Sequence, residues 1–259
     1  MASRNGRDAH AERVATAYNA LNEKGYFADE IGGNEGYLGG LMRHYVPKDA
    51  MSVLEVGGAT GLWMRQVLRA RPALRDVTVV ELSDAAERCR ARLAPLLADR
   101  PAGRLEVVQD DFLRAADRLR PAGTVVSSFV ADHMGDPAAY LARLHDLAEP
   151  GGRVIAVEVQ TSERAPLGTV TPGVVAASFF RLCGVHLRLG KLPPLRGVLR
   201  SMPLYKLSDE EAFRELRSST DAYAFPRAAW RAVRDAYPGA VYHDLGMAGM
   251  LVLPKPATA

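Results

Sequence analysis

Four groups of residues in this chain have the types and spacing to do chemistry on a small molecule. The run Val53 to Gly61, VLEVGGATG, puts Gly57, Gly58 and Gly61 directly after a short apolar stretch that carries one acid, Glu55. Glycine tolerates positive φ and has no side chain, so such a turn lets backbone lie against a ligand at the carboxyl end of a strand. Twenty residues after Gly61, Glu81 ends the run VTVVE. A carboxylate there can accept both hydroxyls of a ribose, and its bland alternative is a strand-end surface acid. Asp110 and Asp111 follow a third apolar run, where either could bind or simply cap the next turn. Asp132 and His133 follow a fourth. A positioned histidine or carboxylate can take the proton of an attacking hydroxyl, whereas a His133 that only packs against or caps the next helix would do no chemistry.

The spacing of the glycines narrows the ligand. A dinucleotide turn needs G-x-G-x-x-G, and here Ala59 and Leu62 fill the second and third glycine slots. What remains is E-x-G-x-x-x-G, with an acid inside the strand and no lysine to reach a phosphate. Cys89 and Cys183 have neither metal nor redox spacing, so no metal site is expected and the thiols fit a reduced, cytoplasmic setting.

These residues need a scaffold that brings strand ends together. Val14, Ala17, Tyr18 and Leu21 predict an amphipathic helix over residues 8–24, and a second helix is expected from Asn34 to Tyr45, stopped by Pro47. Leu62 to Arg71 reads as a helix ended by Pro72. Val77 to Leu82 reads as a buried strand, followed by a helix capped by Ser83 or Asp84 that reaches about Asp99 despite Pro95. RLEVVQDDF and TVVSSFV supply strands three and four, and a helix from Asp136 and Pro137 presents Tyr140, Leu141, Leu144 and Leu147 on one face. EPGGRVIAVEV is a turn and a fifth strand, and AVYHDLG with AGMLVLP predicts a closing antiparallel hairpin. Strands alternating with helices imply a parallel sheet covered on both faces.

The chain has 259 residues, enough for one α/β domain with insertions. No uncharged apolar stretch of membrane-spanning length and no secretory signal is read in it. Charge is unevenly spread: from Arg164 to Leu207 there are seven cations and no acid, leaving 26 cations against 30 acids elsewhere. That segment is too long for an ordinary connection. Its apolar runs studded with Arg suit a pocket for an apolar or anionic molecule, or a solvated basic face. Without regular aromatic interleaving it is a poor nucleic-acid surface. A preference for Arg over Lys, with abundant Ala, points to a high-GC bacterial genome.

Together the E-x-G-x-x-x-G turn, Glu81, the acids after strand three, the PGG before strand five and the final hairpin resemble the class I S-adenosylmethionine-dependent methyltransferases over about residues 50–160. The resemblance implies a Rossmann-like α/β fold. Its seven-stranded, mostly parallel sheet ends in an antiparallel hairpin, is preceded by N-terminal helices and carries a lid insertion between strands five and six. Within one domain, residues 1–47 would form the helical cap, 48–160 the cofactor-binding core, 161–207 the acceptor lid, and 208–259 the C-terminal helices and hairpin. It also implies S-adenosylmethionine as cofactor, held by Glu55, Gly57, Gly58, Gly61, Glu81 and Leu82. Asp111, or else Asp110, would take the adenine amino group and the Phe112 backbone would contact the ring. Ser128 would border the methyl group. Tyr18, with Tyr26 and Tyr37, would fold over the cofactor or pack in the core.

Small-molecule O-methyltransferases often place a histidine before an acid in the loop after strand four. Here Asp132 takes the histidine's slot and His133 the next, which leaves the base open between them; His186, Tyr205, Tyr223 and His243 are alternative pocket residues. The activity implied is methylation of a small molecule, first at oxygen, in secondary metabolism, with no nucleic-acid or membrane partner and a homodimer left open. Its competitors are the same fold used for aminopropyl transfer or cyclisation, and a non-catalytic cofactor-binding protein of regulation or assembly.

Overall fold

The computed structural model describes residues 4–23, 38–134, 136–161, 172–191, 225–246 and 248–257. Five strands run in parallel: β1 (Ser52–Val56), β2 (Asp76–Glu81), β3 (Arg104–Gln109), β4 (Ala122–Ser128) and β5 (Ala148–Thr161). The hairpin of β7 (Val241–Asp244) and β8 (Ala248–Pro254) adds to β5 through β8, antiparallel. The order is β3-β2-β1-β4-β5-β8-β7, and a two-residue β6 (Phe225–Pro226) pairs with the end of β5. This is the seven-stranded, mostly parallel sheet expected from the sequence.

Helices cover both faces, and the strands explain why. In β5, Ile155 and Val157 join one apolar cluster while Val154 and Ala156 join the other; β8 divides Met250 and Val252 from Leu251 and Leu253 in the same way. A strand buried on both sides reads as an unbroken apolar run because each of its faces needs a cover. On one face lie α2 (Gly40–Tyr45), α3 (Leu62–Ala70), α4 (Ala85–Ala98) and α7 (Pro172–Arg188). On the other lie α5 (Phe112–Ala115), α6 (Pro137–Asp146) and α8 (Arg227–Ala236). The long α1 (Arg4–Glu23) precedes them all.

Three expectations change in detail. The PGG before strand five is a bulge inside β5 rather than a turn ahead of it. Ala122 pairs with Ala148 and Thr124 with Arg153, so β5 spends three extra residues there, with Gly151 at φ +78°. The start of α4 lacks a strong side-chain cap: Asp84 makes none, and Ser83 Oγ accepts from Ala85 N at only 3.4 Å. Pro95 lies within α4, as allowed for. The expected helix start at Asn34 falls outside the described residues, as does most of the 161–207 segment apart from α7.

The strand order reverses between β1 and β4. Connections leaving these two strands go to opposite sides of the sheet, so a crevice opens at their carboxyl ends. The candidate residues gather around it.

Candidate functional site

Leaving β1, Gly57 adopts φ +78° and its N–H donates to Val80 O at 2.9 Å. A Cβ on Gly57 would lie 2.3 Å from Val130 Cγ2 and 3.4 Å from Ser128 O, so this turn approaches the end of β4 as closely as a bare backbone permits. Gly58 and Gly61 close the turn through Gly61 N to Gly58 O at 2.8 Å. Their own constraints come from packing, against Val79 for Gly58 and Cys89 for Gly61. Gly61, at φ +74°, then starts α3.

Two acids stand beside the turn. Glu81 is 7% exposed, which removes the reading of a surface acid. Its Oε2 accepts from Ala59 N at 2.7 Å, and its Oε1 accepts from Ser83 N at 2.8 Å and Ser83 Oγ at 2.6 Å. One carboxylate thus ties the glycine turn to the exit of β2. Glu55 is buried in β1, and its Oε2 has no hydrogen-bond partner. Burial, with Glu81 nearby, pushes its carboxyl up to about 8, so it is protonated at neutral pH. A buried carboxyl short of donors is suited to a cationic group. Leu82, half-buried, follows β2.

Beyond β3 the two aspartates part company. Asp110 is held by Arg114 at 3.0 Å and Arg118 at 2.5 Å, one on each oxygen, and also accepts from Asp111 N. Asp111 caps α5, its Oδ1 accepting from Arg114 N at 3.2 Å. Asp111 therefore retains the freer carboxylate. The Phe112 ring is buried edge-on to Tyr140, leaving its backbone at the strand exit.

After Ser128, the half-buried last residue of β4, Phe129 takes the left-handed conformation at φ +57°. Such a geometry is sparsely populated for an aromatic residue and persists only where the surroundings dictate it. The fully buried Glu158 of β5 helps to dictate it, because its Oε1 accepts from Val130 N at 3.1 Å and Ala131 N at 3.0 Å. A 3-10 turn, Ala131–His133, follows. His133 does not cap α6; Asp136 does, accepting from Ala139 N at 3.0 Å. Instead α1 grips His133: Tyr18 OH lies 2.9 Å from His133 Nε2, and His10 Nε2 donates to His133 O at 2.9 Å. Asp132 shares the backbone of the turn.

Other candidates lie apart. His243, on the edge strand β7 and four strands from β1, bonds Tyr45 OH at 2.5 Å. Burial, then Arg188 and His44, push it down to about 4. His186 turns Nδ1 back to Leu182 O of its own helix. Tyr26, Tyr37, Tyr205 and Tyr223 lie outside the described residues. Among the lid cations that are described, Arg181 pairs with Asp244. Arg188 lies near His243, and Lys191, just beyond α7, faces Arg43 and Arg71. Among the described residues no cluster could hold a metal ion, and no helix is long and apolar enough to cross a membrane.

Residues 35–186 match the methyltransferase domain family, and the chain belongs to it. Its fold is the Rossmann-like one of class I S-adenosylmethionine-dependent methyltransferases. Similar solved structures include an O-methyltransferase family protein from Burkholderia thailandensis, at 16% identity and TM-score 0.54 over 92% of this chain and 63% of that one. Mitomycin 7-O-methyltransferase MmcR is 17% identical, with TM-score 0.53 over 91% of this chain and 60% of its own. Human N-acetylserotonin methyltransferase, solved in complex with SAM, is 13% identical, with TM-score 0.52 over 96% and 57%. At these identities the likeness is one of fold, and the chain spans only about three-fifths of their length. No curated protein matches the sequence.

Two substitutions test the electrostatics. The folded-state carboxyl of Glu55 titrates near 8 against an ordinary 4.5, so the folded protein holds a proton that the unfolded chain releases across this interval. Stability from this group is therefore full below pH 4.5 and declines as pH rises to 8. Glu55→Gln is expected to match the parent near pH 4.5 and exceed it at pH 8 by on the order of 3 kcal/mol in urea unfolding. Glu158→Ala leaves the Val130 and Ala131 amides without their acceptor and should cost about 2–4 kcal/mol in the same measurement, with Glu158→Gln recovering part of it.

Proposed function

We propose that this protein transfers a methyl group from S-adenosylmethionine to a hydroxyl of a small, largely apolar molecule. The observation that carries the reading is the buried Glu81 carboxylate clasping the glycine turn at the point where the strand order reverses. There a ribose can meet an acceptor while the bare turn admits the amino acid end of the cofactor. The residues fit that cofactor. Glu55 offers a buried oxygen without a donor to an ammonium group, Glu81 Oε2 keeps acceptor capacity for a hydroxyl, and Asp111 keeps a freer carboxylate for the adenine amino group. Gly57, Gly58, Gly61, Leu82, Phe112 and Ser128 line the path between them.

When bound, S-adenosylmethionine supplies a methyl group on a sulfonium, an electrophile open to in-line attack. The protein's part is to hold the acceptor in line, exclude water and take the hydroxyl proton. His133 and Asp132, on the 3-10 turn that Glu158 anchors, are the bases offered; Tyr18 orients the His133 ring through its hydroxyl. Residues 161–207 would cover the acceptor above the 48–160 core, with 1–47 closing the other side and 208–259 completing the sheet. The family membership supports methyl transfer; a reaction in the bacterial cytoplasm, of the secondary-metabolism kind, is our reading, for which the Arg- and Ala-rich composition speaks. The three described lid cations give no support to an anionic acceptor, because Arg181 pairs with Asp244, Arg188 lies near His243 at the far edge of the sheet from β1, and Lys191 faces Arg43 and Arg71.

Calorimetry with S-adenosylhomocysteine and transfer of labelled methyl to a metabolite extract test the proposal together. Binding without transfer would favour the non-methyl or regulatory use of the same fold, and no binding would end the reading. Glu81→Ala should weaken S-adenosylhomocysteine at least about 10-fold, a loss of about 1.4 kcal/mol. With an acceptor in hand, His133→Ala or Asp132→Asn should lower kcat about 100-fold or more, a loss well beyond any change in cofactor affinity. Full turnover in both would point to an amine or thiol acceptor.

A further inference from the structure

The C-terminal half of α1 reaches the exit of β2, where it presents one more polar group. Asn22 is 5% exposed. Its Nδ2 donates to Ser83 Oγ at 3.3 Å and to Asp84 Oδ1 at 3.1 Å, while Asn19 Oδ1 accepts from Asp84 N at 2.9 Å. A carboxylate only accepts, so the bond to Asp84 fixes which end of the Asn22 amide is nitrogen. The oxygen is thereby turned away from both partners, and Asn22 Oδ1 is buried with no hydrogen-bond partner. Leaving an amide acceptor buried and unsatisfied costs about 1–3 kcal/mol, and Asn22 does not need this oxygen to anchor α1.

Through Ser83 that amide is linked to Glu81. Ser83 gives both its N–H and its hydroxyl to Glu81 Oε1, and Ala59 N–H takes part of Oε2. Each carboxylate oxygen has about two lone-pair sites, so one remains on Oε2 and none on Oε1. Glu81 can thus receive one hydroxyl in full, whereas the vicinal diol of a ribose brings two donors. We infer that Asn22 is a second ribose-binding residue, its Oδ1 accepting one hydroxyl of the diol while Glu81 Oε2 accepts the other.

This assignment rests on the cofactor reading above for the nature of the ligand. It also requires α1 to shift as the nucleoside enters, since Oδ1 is buried. The polar ties of the helix run to loops: Asp8 to Arg114 at 3.4 Å, Tyr18 and His10 to His133, and Asn19 and Asn22 to the turn after β2. Its Ala11, Val14 and Leu21 are buried, so the shift is a small one that keeps them covered while the polar ties exchange.

The test is calorimetry on the full chain with S-adenosylhomocysteine, 5′-methylthioadenosine, and the 2′-deoxy and 3′-deoxy forms of the latter. In the parent each deoxy form should bind about 10-fold more weakly. Asn22→Ala should weaken 5′-methylthioadenosine by a similar factor and abolish the penalty for one of the two deletions. Asn19→Ala, which loosens α1 without removing the acceptor, should keep both penalties. If Asn22→Ala keeps both penalties, or weakens all the nucleosides equally, Asn22 is an anchor of α1 only and the assignment is wrong. A parent that binds neither S-adenosylhomocysteine nor 5′-methylthioadenosine would overturn the cofactor reading itself, and this assignment with it.

Discussion

Three carboxylates buried in strands of an apolar sheet set the terms for the rest of the molecule. Removing a charge from water is tolerated only where donors or a neutralising proton replace the lost hydration. Glu81 is supplied by Ala59 and Ser83, and Glu158 by Val130 and Ala131. In each case backbone amides of a loop at the carboxyl edge are among the donors, so satisfying the acid also fixes the loop. The turn after β1, the exit of β2 and the 3-10 turn after β4 are therefore held by the sheet's own interior. Glu55 Oε2 has no such donor, and the carboxyl keeps a proton at neutral pH.

The parts legible in the sequence are those governed by local pattern. Apolar runs located β1, β2, β4, β5 and β8, since strands covered on both faces have no polar side to alternate with. The edge strand β3, RLEVVQ, is half-buried and was legible from its β-branched centre and the turn residues around it. Gly57 was legible because a positive φ and a close approach both demand glycine. The acid ending VTVVE stood out as Glu81 for the same reason that Glu158, interrupting VIAV and VQ, could have been found and was not. The PGG segment was misread as a turn because its glycines serve a bulge that only the β4 register reveals.

What could not be read is what depends on distant partners. Tyr18 meets His133 across 115 positions, and Asn22 meets Ser83 across 61. No spacing rule connects a helix to loops so far along the chain. Asp110 and Asp111 differ for a local reason instead: the side chains of Arg114 and Arg118, four and eight residues on, engage Asp110 on both oxygens. The cationic lid segment shows the converse. Its excess of charge is plain in the sequence, yet Arg181 is spent on Asp244 within the fold.

The unsatisfied Glu55 also links stability to ligand. A carboxyl that prefers to be neutral in the folded protein and charged in the unfolded chain lowers stability at neutral pH. The same group, once beside a bound cation, regains its reason to ionise, so the free energy withheld from folding becomes available to binding. A donor-rich surrounding of the kind given to Glu81, with donors on both oxygens, would remove the penalty and the preference together. In this fold the two loop-fixing acids supply rigidity where the site must be built in advance. The third, Glu55, is the one that burial keeps protonated, and that is the state the proposed ammonium contact would reverse.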